Sequence, residues 1–154
     1  ATLRAARLAR QALRAAPLLP DADKAIDSLE AGKTIDVSGL HPAVGKIFYP
    51  GVQKFLIDEF AQHPAELASS YKGPMMIIWG SKDIQVARAD YDALAGAAPD
   101  AKTLVVPDMN HVLKTVSSDS RDANIAAYGN PDLPLSDGLV DAIATFIKAH
   151  PATG

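Results

Sequence analysis

Cysteine is absent from the 154 residues. That excludes disulfides and thiolate metal sites, although it leaves the compartment open. No apolar run approaches the roughly 18 residues that a membrane-spanning helix needs. Basic excess is also missing. The net charge is −3, with 21% charged and 48% hydrophobic residues, a balance that suits a globular domain and gives no overall basic surface for nucleic acid. Glycines are scattered and build no phosphate-cradling loop, so we expect no nucleotide and no other cofactor. No two histidines have the spacing of a metal-binding pair, and no metal is assigned. Finally, no Gly-x-Ser-x-Gly occurs anywhere in the chain. A chain of this length could still bury roughly 70% of its unfolded surface.

The opening ATLRAARLARQALRAAPLLP carries Arg4, Arg7, Arg10 and Arg14 and no acid. A transit peptide or membrane-surface helix can look like this. We read it instead as a helix of the folded protein, over residues 2 to 15, ended by Pro17 and Pro20. The chain starts on Ala1, and no apolar core with a cleavage site follows. We therefore expect a product that begins part-way through a longer one, with localisation unknown.

Asp21 is the expected N-cap of a helix through Leu29, closed by Gly32. HPAVGKIF offers a short helical turn. Val52, Phe55, Leu56 and Phe60 then recur at helical spacing, and Pro64 suits the first position of a last short helix, AELASSY.

At Lys72-Gly73-Pro74 the pattern changes. MMIIW is a continuous apolar run of strand length, as expected of a strand buried on both faces of a parallel sheet. A helix from about Arg88 to Ala98 follows, then the strand KTLVVP. The stretch from His111 to Pro134 reads mainly as loop, with room for short helices. Ser136 is the expected cap of a final amphipathic helix containing Leu139, Val140, Ile143, Phe146 and Ile147. The fold class is therefore α/β, with an all-helical region at 1–71 ahead of a strand-containing region at 72–154. Two strands do not complete a sheet, so the isolated chain is expected to be aggregation-prone or partly unfolded.

Two residues carry the chemistry. A strand–helix–strand unit with parallel strands puts the ends of both strands on one sheet edge. Asp83 follows the first strand and His111 follows the second, so residues distant in sequence can meet. An imidazole takes a proton from a nucleophile and returns it to a leaving group, and a carboxylate holds its tautomer. Taken singly, each residue has a bland explanation, a turn Asp and a solvated loop His. Asp108, three residues before His111, is a rival acid that we read as a turn residue. Lys82 is expected to point to solvent. His41 and His63 precede prolines, and His150 lies in the last helical turn, where a cation suits the dipole.

GPMMIIWGSKDIQV and VVPDMNHVLK together resemble the C-terminal part of serine hydrolases of the α/β-hydrolase fold, nearest to cap-bearing esterases and the serine aminopeptidase-like or acylglycerol lipase-like group. The resemblance covers residues 72 to 150. It implies the last two parallel strands of that core with flanking helices, and a cap (lid) over 1–71. It also implies Asp83 as triad acid and His111 as triad base, in the family's chain order of Ser, Asp, His. The serine and the oxyanion hole would lie upstream, in the missing N-terminal half of the fold. Ser81, Ser117 and Ser118 lack the turn that exposes a nucleophile. The implied substrate is a small acyl ester, or an amide or thioester, cleaved through an acyl-enzyme. Phe48, Tyr49 and Phe55 are candidates for an acyl-binding entrance, their default explanation being the core of the helical region. This chain alone is expected to be inactive. The alternatives are an α/β-hydrolase with an Asp nucleophile, such as a dehalogenase or epoxide hydrolase, and a non-catalytic binding protein of the same fold.

Overall fold

The computed structural model describes residues 18–151, so the basic opening segment expected over residues 2 to 15 lies outside the described residues. The chain divides into two compact units, one up to Pro64 and one from Ala65 onward.

In the first unit, α1 (Leu19–Glu30), α2 (Pro42–Ile47) and α3 (Pro50–Phe60) surround one core. Ala22, Ala25, Ile26 and Leu29 form the buried stripe of α1 at the three-and-four spacing of a helix. Val44, Phe48 and Phe60 complete the cluster. Pro20 falls inside the first turn of α1, where a missing N–H costs nothing. Asp21 is not the cap. Its Oδ2 accepts the backbone N–H of His41 at 2.7 Å, tying the entry of α2 to α1. Gly32 closes α1 as expected, with φ at 74°. Its N–H donates to the Leu29 carbonyl and that of Lys33 to Ser28, a Schellman closure.

Gln53 is the unit's buried polar side chain, 1% exposed. Its Oε1 accepts from the Ile35 N–H at 2.9 Å. Its Nε2 donates to the carbonyls of Ile35 at 3.0 Å and Phe48 at 2.8 Å. One amide thereby satisfies the backbone of a segment that has no secondary structure of its own.

The second unit contains α4 (Pro64–Ser70, its first residue at the boundary), β1 (Met76–Gly80), α5 (Arg88–Ala97), β2 (Lys102–Val106), α6 (Arg121–Tyr128) and α7 (Leu139–Ala149). β1 and β2 pair in parallel, from Met76 opposite Lys102 to Gly80 opposite Val106. Side chains alternate across this pair. Ile78, Leu104 and Val106 share one face and pack with Met109 and with Leu139 and Ile143 of α7. Trp79 points to the other face, where its ring lies 6.0 Å from that of Tyr91 on α5. The mixed α/β character and the two parallel strands are as the sequence implies. β1 is not buried on both faces, however: Met76, Ile78 and Trp79 are only part-covered.

The last helix starts differently from expectation. Its N-cap is Gly138 in the left-handed region, without a side-chain cap. Ser136 is instead 4% exposed. It donates its N–H to the Leu113 carbonyl at 2.8 Å and accepts from the Thr115 hydroxyl at 3.0 Å, bracing the loop after β2. Within the stretch read as loop, α6 is a regular helix, started by Ser120 and ended at Gly129.

Candidate active site

The turn after β1 is set by a missing side chain. Gly80 lies on the same face as Ile78, and a Cβ built there would stand 2.1 Å from the Met109 carbonyl oxygen and 2.7 Å from its carbon. Only glycine lets the Met109 backbone come this close. That approach allows the Lys82 N–H to donate to the Met109 carbonyl at 3.0 Å and the Ser81 N–H to reach the Val106 carbonyl at 3.0 Å. In return, the Asp108 N–H donates to the Ser81 hydroxyl at 2.8 Å. The two strand-end loops are thus stitched together next to the residues they carry, Asp83 and His111.

Asp83 completes the first loop. Its side chain is 8% exposed. Oδ1 accepts from the N–H groups of Gln85 and Val86, each at 2.8 Å, which leaves Oδ2 directed at His111. The Val86 peptide is held in turn by the Trp79 indole, whose N–H donates to its carbonyl at 2.9 Å.

His111 rides on the second loop. Asn110, 1% exposed, accepts at Oδ1 from the N–H groups of Val112 at 3.1 Å and Lys114 at 3.0 Å. These bonds wrap the backbone around the histidine. Leu113 takes a φ of 65° to close the wrap, and the bridge between Met109 and Thr115 shuts its base. His111 Nδ1 stands 2.9 Å from Asp83 Oδ2. An ionised carboxylate only accepts, so the network assigns the proton of the neutral ring to Nδ1. Nε2 then carries the free lone pair and has no hydrogen-bond partner among the described residues. The ring is 31% exposed. The arrangement can accept a proton at Nε2 while a fixed, nearly buried carboxylate compensates the resulting charge.

Asp108 does not compete for the ring. It occupies the left-handed region, with φ at 54°, and its carbonyl accepts from the Val116 N–H at 2.8 Å. Lys82 departs from expectation, since it does not extend into solvent. Its side chain is 22% exposed, paired with Asp119 and 3.9 Å from Asp108. The hydrogen bond that Lys82 donates to Asp119 raises the Lys82 ammonium and holds the Asp119 carboxyl below the usual carboxylate range.

The aromatic candidates belong to the helical unit. Phe48 is 1% exposed and part of its core, whereas Tyr49 at 53% and Phe55 at 62% are exposed. His41 caps α2, its Nδ1 accepting from the Ala43 N–H at 3.2 Å, and His150 Nδ1 bonds the Phe146 carbonyl at 2.8 Å. Among the described residues, no group of three or more His, Asp or Glu is placed to hold a metal ion. Nor is any helix among them long and apolar enough to cross a membrane.

Sequence reasoning missed the supports of the Asp83 loop. Asn124 of α6 donates from Nδ2 to the Lys82 carbonyl at 2.7 Å, and Gln85 Nε2 donates to the Tyr128 hydroxyl at 3.0 Å. The available signal was Ser120, a capping residue, followed by eight residues without Gly or Pro and then Gly129. A scan against protein-family models, a search of the curated proteins and a search of the solved structures found no match for this chain.

Proposed function

We propose that Asp83 and His111 are the acid and base of a serine hydrolase of the α/β-hydrolase type, acting on ester, amide or thioester bonds through an acyl-enzyme. The observation that carries this reading is the 2.9 Å contact from His111 Nδ1 to a carboxylate whose other oxygen is held by two backbone amides. Imidazole that is oriented in this way, with Nε2 open, is what a hydroxyl nucleophile needs. The serine oxygen attacks the acyl carbon as its proton passes to Nε2. The same proton then goes to the leaving group as the acyl-enzyme forms, and water repeats the sequence to release the acid. No Gly-x-Ser-x-Gly occurs in these 154 residues, so the nucleophile would come from outside them. The helical region over 1–71 is proposed as the cap. Its exposed rings Tyr49 and Phe55 are candidates for recognising an apolar acyl group, and Phe55→Ala is expected to alter chain-length preference.

The test uses a fluorophosphonate probe on this chain and on a protein that joins it to its upstream reading frame. The chain alone is expected to stay unlabelled. The longer protein is expected to be labelled at a Gly-x-Ser-x-Gly serine, with labelling abolished in His111→Ala. Labelling that survives His111→Ala undiminished overturns the proton-transfer role. An upstream Asp in the serine's place points to the dehalogenase or epoxide hydrolase class, and neither residue there points to a binding protein.

A further inference from the structure

We infer that α6 is the positioning element of the acid loop and that Asn124 is its principal contact, an inference that rests on reading Asp83 and His111 as the acid–base pair. Asn124 and Tyr128 lie four residues apart and so share one face of α6. Asn124 grips the loop one residue before Asp83, through the Lys82 carbonyl at 2.7 Å. Tyr128 grips it two residues after, through the Gln85 side chain at 3.0 Å. Asp119, just ahead of α6, adds the pair with the Lys82 ammonium. The Lys82 carbonyl belongs to the peptide that leads into Asp83, so fixing its plane fixes the direction in which the carboxylate leaves the backbone. Gln85 also supplies one of the two N–H donors to Oδ1, so holding its side chain steadies that donor.

The cost of Asn124 argues for this role. Asparagine is a poor helix former, and here it is 3% exposed with its Oδ1 buried and unpartnered. A buried amide satisfied on one side only is destabilising where an apolar side chain of similar size would not be. Its amide donor therefore has a use beyond filling space. Positioning within a fraction of an ångström is what an acid–base pair requires of its supports.

The experiment labels the histidine ring nitrogens of the longer protein, this chain joined to its upstream reading frame, and follows them by NMR at mildly alkaline pH, with amide hydrogen exchange measured in parallel. Asn124→Asp keeps shape and volume but replaces the amide donor with a carboxylate oxygen that faces the Lys82 carbonyl. Its expected effect is loss of the fixed Nδ1–H of His111, with averaging between tautomers. Exchange at the Gln85 and Val86 amides is expected to be roughly tenfold faster, the consequence of losing one buried hydrogen bond. Tyr128→Phe should accelerate Gln85 by a smaller factor. If Asn124→Asp lowers the unfolding midpoint yet leaves Nδ1–H and both amides unchanged, Asn124 is merely structural and the inference is wrong. Should Asn124→Asp fail to fold, Tyr128→Phe decides, and an unchanged Gln85 amide overturns the proposal. None of these readouts needs a nucleophile. Failure of probe labelling would remove the hydrolase reading alone, and failure of the tautomer and exchange responses would remove the role of α6 alone.

Discussion

Gly80→Ala should uncouple Asp83 from His111 although it touches neither. The added methyl would stand 2.1 Å from the Met109 carbonyl oxygen, against 3.4 Å or more for ordinary contact. The obstacle is backbone, so no side-chain rotation relieves it, and the two loops must part by about 1 Å. Overpacking of this kind costs about 1–3 kcal/mol. Parting also breaks the 3.0 Å bond from the Lys82 N–H to the same carbonyl, which adds about 1 kcal/mol. The expected destabilisation is about 2–4 kcal/mol. A shift of that size would also stretch the 2.9 Å contact between His111 and Asp83 past hydrogen-bonding range. Trp79 is the chain's single tryptophan and adjoins the substituted residue, so urea titration of its fluorescence at submicromolar concentration reports this unit. Gly96→Ala is the control. A Cβ there meets nothing within 4 Å, and replacing a helical glycine should stabilise by roughly 0.4–1 kcal/mol. If Gly80→Ala loses less than about 1 kcal/mol and keeps the Nδ1–H resonance of His111, the claim that loop stitching positions the pair is wrong.

Other perturbations separate the remaining contributions. Gln53→Leu should destabilise the helical unit by about 2–4 kcal/mol, because Ile35 and Phe48 lose backbone partners in a buried setting; a helical circular-dichroism melt that is unchanged would show that water replaces the amide at no cost. Trp79→Phe removes the donor to the Val86 carbonyl at 2.9 Å and weakens the stack with Arg88, whose guanidinium lies 5.6 Å from the ring centroid. Faster exchange of the Val86 amide is expected, and unaltered exchange would place the indole outside the support of Asp83. The folded-state carboxyl of Asp119 is depressed by its hydrogen bond from Lys82. What this pair contributes is therefore present above the ordinary carboxylate range and lost as pH falls through the lower folded value. A carbon-detected titration of Asp119 with a midpoint at or above the ordinary aspartate value would contradict the pairing.

The parts of this fold that were legible in the sequence are those whose cause is local. MMIIW and KTLVV are apolar runs bounded by turn residues, and the strands Met76–Gly80 and Lys102–Val106 follow them. Gly32 closes α1 because its signal is a backbone angle that other residues resist. The misplaced details are those in which one side chain has several possible partners. Asp21 and Ser136 are good caps by type, yet the first goes to the His41 N–H across 20 residues and the second to a hydroxyl 21 residues away. α6 was hidden for a related reason. Its Asn124, Ala127 and Tyr128 make no apolar stripe, because the face they occupy serves polar contacts to the acid loop.

The same distinction divides the candidate site. Asp83 and His111 could be paired from topology, because parallel strands bring their ends to one edge whatever the side chains between them. Topology delivers the pair only to the neighbourhood of contact, however. Closing the final ångströms depends on Gly80 admitting the Met109 carbonyl, on Asn110 wrapping the loop around His111, and on Trp79 and Asn124 holding the peptides beside Asp83. None of these four residues has a type that announces chemistry, and three act through backbone carbonyls, which every sequence contains. Asp83 is the more constrained partner: both carboxylate oxygens are engaged, whereas the His111 imidazole keeps Nε2 open and a third of its surface exposed. Rigidity on the carboxylate and access on the ring are what proton transfer to an incoming group requires.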